Sequence, residues 1–71
     1  MNQFGEKLRF LRKQRGLTVR ELAPMLGVKS FSYLSDLENG RKTPSLEFVI
    51  KVSDIFGVPI DQLVRDEFEI D

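Results

Sequence analysis

The chain has 71 residues, 41% of them hydrophobic and 31% charged, with eleven Lys/Arg balanced by eleven Asp/Glu and neither Cys nor His. That length supports one domain with a modest core, since chains of about 60 residues bury only roughly 60% of their unfolded surface. Without Cys and His there can be no disulfide, thiolate metal site, Cys nucleophile or imidazole acid–base chemistry, and no apolar run approaches the roughly 20 residues of a membrane span.

The charge is unevenly placed. Residues 1–42 hold nine Lys/Arg against four acids, a net +5, and residues 43–71 hold two against seven, a net −5. Such asymmetry suggests a nucleic-acid face at one end, because local fields rather than net charge steer ligands. The N-terminus carries charges where a signal peptide would be apolar, and a cytoplasmic location with no membrane contact is expected. No metal or cofactor is expected.

Helix 1 is predicted from Gln3 to Arg15, with Phe4, Leu8 and Leu11 as its buried stripe and Phe10 off it. Glu6 near its start and Arg12, Lys13 and Arg15 near its end suit the helix dipole. Helix 2 is predicted from Val19 to Leu26. Thr18 and Glu21 have the spacing of a capping box, with Leu17 and Leu22 as the accompanying staple. Leu22, Ala23 and Leu26 form its apolar face. Pro24 lies beyond the first turn, where it removes a bond to the Arg20 carbonyl; a kink or a short helix with a looser second half is expected.

Gly27 is placed to end helix 2, and Ser30 is the best cap for helix 3, predicted from Phe31 to Glu38. Leu34 and Leu37 point one way; Ser32, Ser35, Asp36 and Asn39 point the other. Asn39-Gly40 stops the helix, and the basic loop Arg41-Lys42-Thr43 follows. Two short helices joined by a tight turn can offer the second one to the major groove of DNA.

Helix 4 begins after Ser45 and ends at Gly57. Its inward face is predicted as Leu46, Val49, Ile50, Ser53 and Phe56, with Phe48 and Val52 outside the stripe. Helix 5 follows Pro59, from Ile60 to about Asp66, with Ile60 and Leu63 inward. The acidic tail, residues 66–71, alternates charged and apolar residues. It can form a strand pairing with a second copy or remain frayed, and fraying is the expectation.

These residues resemble the DNA-binding domain of the Xre/Cro/lambda-repressor-type helix-turn-helix proteins. The likeness rests on LRFLRKQRGLT (8–18), Glu21-Leu22-Ala23, Leu26-Gly27-Val28, YLSDLENGRKTPSLE (33–47), Ile55-Phe56-Gly57-Val58 and Asp61-Gln62-Leu63, and covers about residues 4–65. It implies an all-α, compact five-helix domain over residues 1–65, with the helix-turn-helix formed by helices 2 and 3. It also implies an Arg12–Glu38 ion pair tying helix 1 to helix 3. The resemblance places base contacts at Phe31, Ser32, Ser35 and Asp36. Phosphate contacts fall at Thr18, the first amides of helix 2, Asn39, Arg41 and Lys42, and position and charge add Arg20 and Lys29. The turn between helices 2 and 3 is one residue longer than the family's usual count, which would let the readers shift by one and Phe31 turn inward.

The function implied is a sequence-specific regulator of transcription that binds double-stranded DNA, in particular a repressor acting as a homodimer on a near-palindromic operator. Phe48, Phe68, Ile70 and the helix 5 region are its candidate interface. The alternative is an antitoxin or other protein-interaction module on the same fold, binding a partner protein through the acidic half. An enzyme is not expected, since no carboxylate pair has a nucleophile or a pocket-forming architecture beside it.

Overall fold

A computed structural model describes residues 3–67. It contains five helices, α1 (Phe4–Gln14), α2 (Val19–Met25), α3 (Phe31–Glu38), α4 (Leu46–Phe56) and α5 (Ile60–Val64), and no strand among the described residues. Helix α3 packs against both α1 and α2, while α5 packs against α4 and α1. The all-α, five-helix architecture expected from the sequence is the one observed. The alternating tail from residue 68 onward lies outside the described residues.

Local chemistry sets the helix ends. The Thr18 Oγ1 accepts from the Glu21 backbone N–H at 3.1 Å, and the Glu21 Oε1 accepts from the Thr18 N–H at 2.9 Å. Both halves of the capping box are therefore made. Helix α2 stops at Met25, one residue beyond Pro24. Of the two outcomes expected for that proline, the short helix is found, and the missing N–H falls where the helix is already closing. Gly27, at φ +72°, then lets the Val28 N–H donate to the Ala23 carbonyl and its own N–H to the Pro24 carbonyl. This pair of bonds is a Schellman closure, which satisfies carbonyls the helix would leave orphaned. Ser30 and Ser45 cap α3 and α4, accepting from the Ser32 and Phe48 N–H groups.

The core comprises Phe4, Leu8 and Leu11 of α1, Leu22, Ala23 and Leu26, Leu34 and Leu37 of α3, Phe48, Val49, Val52 and Phe56 of α4, and Leu63 of α5. Helix α4 is rotated from its predicted orientation. Phe48 and Val52 are buried, whereas Leu46 and Ile50 are 70% and 40% exposed. Seven of the eleven residues of α4 are apolar, so periodicity admits two neighbouring stripes. The one chosen seats the Phe48 ring edge-on between Phe4 (6.3 Å between centroids) and Tyr33 (6.0 Å), a favoured aromatic geometry. Ser53, predicted inward, is half-buried and donates to the Val58 carbonyl at 2.6 Å. Ile60, also predicted inward, is exposed at the first position of α5, and only Leu63 of that helix is buried.

Gly5 sits where α1 crosses α3. A Cβ there would lie 2.6 Å from the Glu38 carbonyl oxygen and closer still to that of Leu37. Only glycine allows this approach, which sets how deeply α3 is seated against α1.

Candidate nucleic-acid interface

Helix α3 is held from behind by charge. The Arg12 guanidinium grips the Glu38 carboxylate with two bonds, Nε to Oε2 at 2.7 Å and Nη2 to Oε1 at 2.9 Å. Only 11% of the Arg12 side chain and 3% of the Glu38 side chain meet solvent. Arg12 Nη1 also donates to the Leu17 carbonyl at 2.9 Å. The hydrogen bond that Arg12 donates to Glu38 pushes the Arg12 pKa above its ordinary value, so the cation is held against the cost of desolvation. The expected pair is thus formed, and it also anchors the loop that leads into α2. Arg9 supports the same carboxylate at 3.4 Å and donates to the Asn39 Oδ1 at 2.5 Å.

The opposite face of α3 is open. Phe31, Ser32 and Asn39 are exposed, and Ser35 and Asp36 are half-buried. The four predicted base readers therefore share the outward side, and the longer turn does not fold Phe31 into the core, since that residue is 44% exposed. Thr18, Arg20, Lys29, Arg41 and Lys42, all exposed, flank this face at the start of α2, in the turn before α3 and in the loop after it.

Two arrangements here have no signature in the sequence. Asp36 lies between the two loop cations, 3.6 Å from Arg41 Nη1 and 3.9 Å from Lys42 Nζ. The carboxylate that would face DNA phosphates is thereby matched by positive charge, which also holds the loop beside α3; the Lys42 ammonium further lies 5.4 Å from the Tyr33 ring centroid. The second arrangement joins α2 to α3: the Arg20 guanidinium carbon stands 4.5 Å from the centroid of the Phe31 ring.

Several cations counted toward the basic half belong to the scaffold instead. Lys7 is buried and its Nζ donates to the Gln62 and Arg65 carbonyls at 2.6 and 2.5 Å, closing the C-terminal end of α5. Arg15 donates to the Phe56 carbonyl at 3.2 Å and stands over the Phe56 ring at 5.2 Å. No group of acidic side chains among the described residues is arranged to hold a metal ion, and no described helix is long and apolar enough to cross a membrane.

A sequence profile described as helix-turn-helix matches residues 8–63. The transcriptional repressor RstR of the cryptic phage CTXphi from Vibrio cholerae is 44% identical over 63 residues, covering 89% of this chain and 56% of that protein. The HTH-type transcriptional regulator SinR of Bacillus licheniformis is 39% identical over 70 residues, covering 94% of this chain and 62% of that protein. The solved N-terminal DNA-binding domain of SinR from Bacillus subtilis superposes with a TM-score of 0.83 at 33% identity, covering 97% of this chain and all of that domain. The chain spans between 46% and 62% of the length of its three leading curated relatives. With the profile matching over most of the sequence and the five-helix architecture in place, the chain belongs to the Xre/Cro-type helix-turn-helix family.

Proposed function

We propose that this domain is the DNA-reading part of a transcriptional repressor that recognises specific sequences in the major groove. The observation that carries the reading is the open polar face of α3, flanked by exposed cations and braced from behind by the buried Arg12–Glu38 pair. An eight-residue helix is about 12 Å long, on the scale of the roughly 12 Å width of the major groove. Phe31, Ser32, Ser35 and Asp36 face the bases. Thr18, Lys29, Asn39, Arg41 and Lys42 contact phosphates and set the register. The relatives' names, repressor and regulator, favour this role over the antitoxin alternative.

The domain acts as a homodimer. One copy offers few cations and little contact area; a two-fold pair doubles both and reads half-sites about 10 bp apart. Phe48 cannot serve the interface, because it is 5% exposed and packed between Phe4 and Tyr33. Phe68 and Ile70 lie outside the described residues. Leu46 and Ile50 of α4 and Ile60 of α5 carry the exposed apolar surface that a second copy would cover.

Selection of bound duplexes from a random library at moderate salt tests the reading. An enriched inverted repeat with half-sites about one helical turn apart is expected. A cooperatively folded protein that enriches nothing would overturn it.

A further inference from the structure

We propose that Arg20 and Phe31 form one composite reading unit, in which the ring braces the guanidinium so that it binds the O6/N7 edge of guanine. The neighbouring thymine is recognised by its 5-methyl group, making the preferred site a guanine with a thymine beside it. This rests on the DNA-reading function proposed above.

The helix faces alone would give Arg20 a phosphate. It is the second residue of α2, an element that flanks the groove-facing helix rather than forming it. The contact with Phe31 changes that assignment. Phe31 is the first residue of α3, at the end expected to enter the groove, and is 44% exposed. A guanidinium 4.5 Å from that ring's centroid is drawn toward the base-reading end. The planar cation stacks on an aromatic surface and keeps its N–H fork available. Held there, it loses less side-chain freedom on binding, so more of the contact is realised as affinity and discrimination.

The unit also supplies what α3 lacks. Ser32 and Ser35 are weak discriminators, and Asp36 is engaged by Arg41 and Lys42 at 3.6 and 3.9 Å. Arginine bidentate to guanine is the commonest specific contact in the major groove. With one face of the Phe31 ring turned to Arg20, its edge remains for an apolar neighbour. The thymine C5-methyl is the apolar group the major groove offers, and a pyrimidine beside the guanine places it next to the fork.

The test is duplex selection with the wild-type domain, Arg20→Ala, Arg20→Lys and Phe31→Leu, each first shown to melt cooperatively. The expected wild-type motif carries a guanine with a thymine beside it in each half-site. Arg20→Ala and Arg20→Lys lose the guanine preference, a change of about 10- to 100-fold for a bidentate pair, although Arg20→Lys keeps the charge. Phe31→Leu removes the aromatic face that braces the guanidinium and weakens the guanine preference. Recognition of the methyl group is read with a duplex carrying deoxyuridine for the thymine, which binds the wild type about threefold to fourfold more weakly, the scale of one buried methyl group. If Arg20→Ala selects the wild-type motif and merely binds every duplex more weakly with a shallower salt slope, Arg20 is a phosphate contact and the unit is refuted. Retention of the motif by Arg20→Lys would refute the fork geometry. A wild-type domain that selects no motif would refute the DNA-reading function and the unit together.

Discussion

Four cations in and just after α1 and four beside α3 belong to one basic half of the sequence but serve different ends in the fold. Lys7, Arg9, Arg12 and the surface residue Arg15 each bond to a group on another element or loop. They close α5, hold Asn39 and Glu38, anchor the Leu17 carbonyl and close α4. Arg20, Lys29, Arg41 and Lys42 are exposed around the outward face of α3. The difference lies in what each side chain can reach. A cation one helix away from an orphan carbonyl or a buried carboxylate is worth most as a brace, because an unmatched buried polar group costs about 1–3 kcal/mol. The cations around α3 meet only the partly exposed Asp36 or an aromatic ring, and stay accessible to solvent and ligand. The total of +5 over residues 1–42 therefore overstates the charge available to DNA.

Breaking the bracing set gives the largest expected effect. Arg12→Ala leaves the Glu38 carboxylate, 3% exposed, with only the longer Arg9 contact. Loss of about 3–5 kcal/mol is expected, read as a lower urea midpoint. The double variant Arg12→Met with Glu38→Leu is expected to recover much of that loss, since an apolar pair leaves no buried charge. A double variant as unstable as the single one would mean that packing or the Leu17 carbonyl, not the charge, governs the site.

Lys7→Met comes next. It preserves the aliphatic stem and removes the donor shared by the Gln62 and Arg65 carbonyls. An expected loss of about 1–3 kcal/mol should be accompanied by faster amide exchange in α5 than in α3. Uniform exchange changes would show that Lys7 does not act through α5.

The smallest effect sharpens the comparison from the acidic side. Hydrogen bonds from the Thr18 backbone and side chain hold the Glu21 pKa below the ordinary carboxylate value of 4.5. A carboxylate lowered on folding contributes stability that is present above its unfolded value and lost as pH falls through the folded one. The melting temperature of the wild type should therefore drop more than that of Glu21→Gln as pH is taken from about 5 toward 3. Parallel curves would show that the capping box carries no pH-dependent stability.

The sequence made the scaffold legible wherever the signal was local. Thr18–Glu21, Ser30, Ser45 and the glycine stops lie within a few residues of what they act on, and the helix limits follow them closely. It was ambiguous for α4, where seven apolar residues in eleven fit two faces and the Phe4 and Tyr33 rings decided between them. It was silent for Gly5 and Lys7, whose reasons lie across the fold, in α3 and α5. At the interface, the outward set on α3 followed from periodicity. The pairing of Arg20 with Phe31 and the placement of Asp36 between Arg41 and Lys42 did not, because residues on different elements meet only after folding.

The division of the cations is tested most directly by the salt dependence of duplex affinity for the wild type, Arg41→Ala and Arg15→Ala. Both variants remove one positive charge. Loss of a phosphate contact lowers the slope of log affinity against log salt by about 0.9, so Arg41→Ala should flatten it by about one unit, while Arg15→Ala, whose cation is committed to Phe56, should leave it unchanged. Equal flattening by both variants, or flattening by Arg15→Ala alone, would contradict the division.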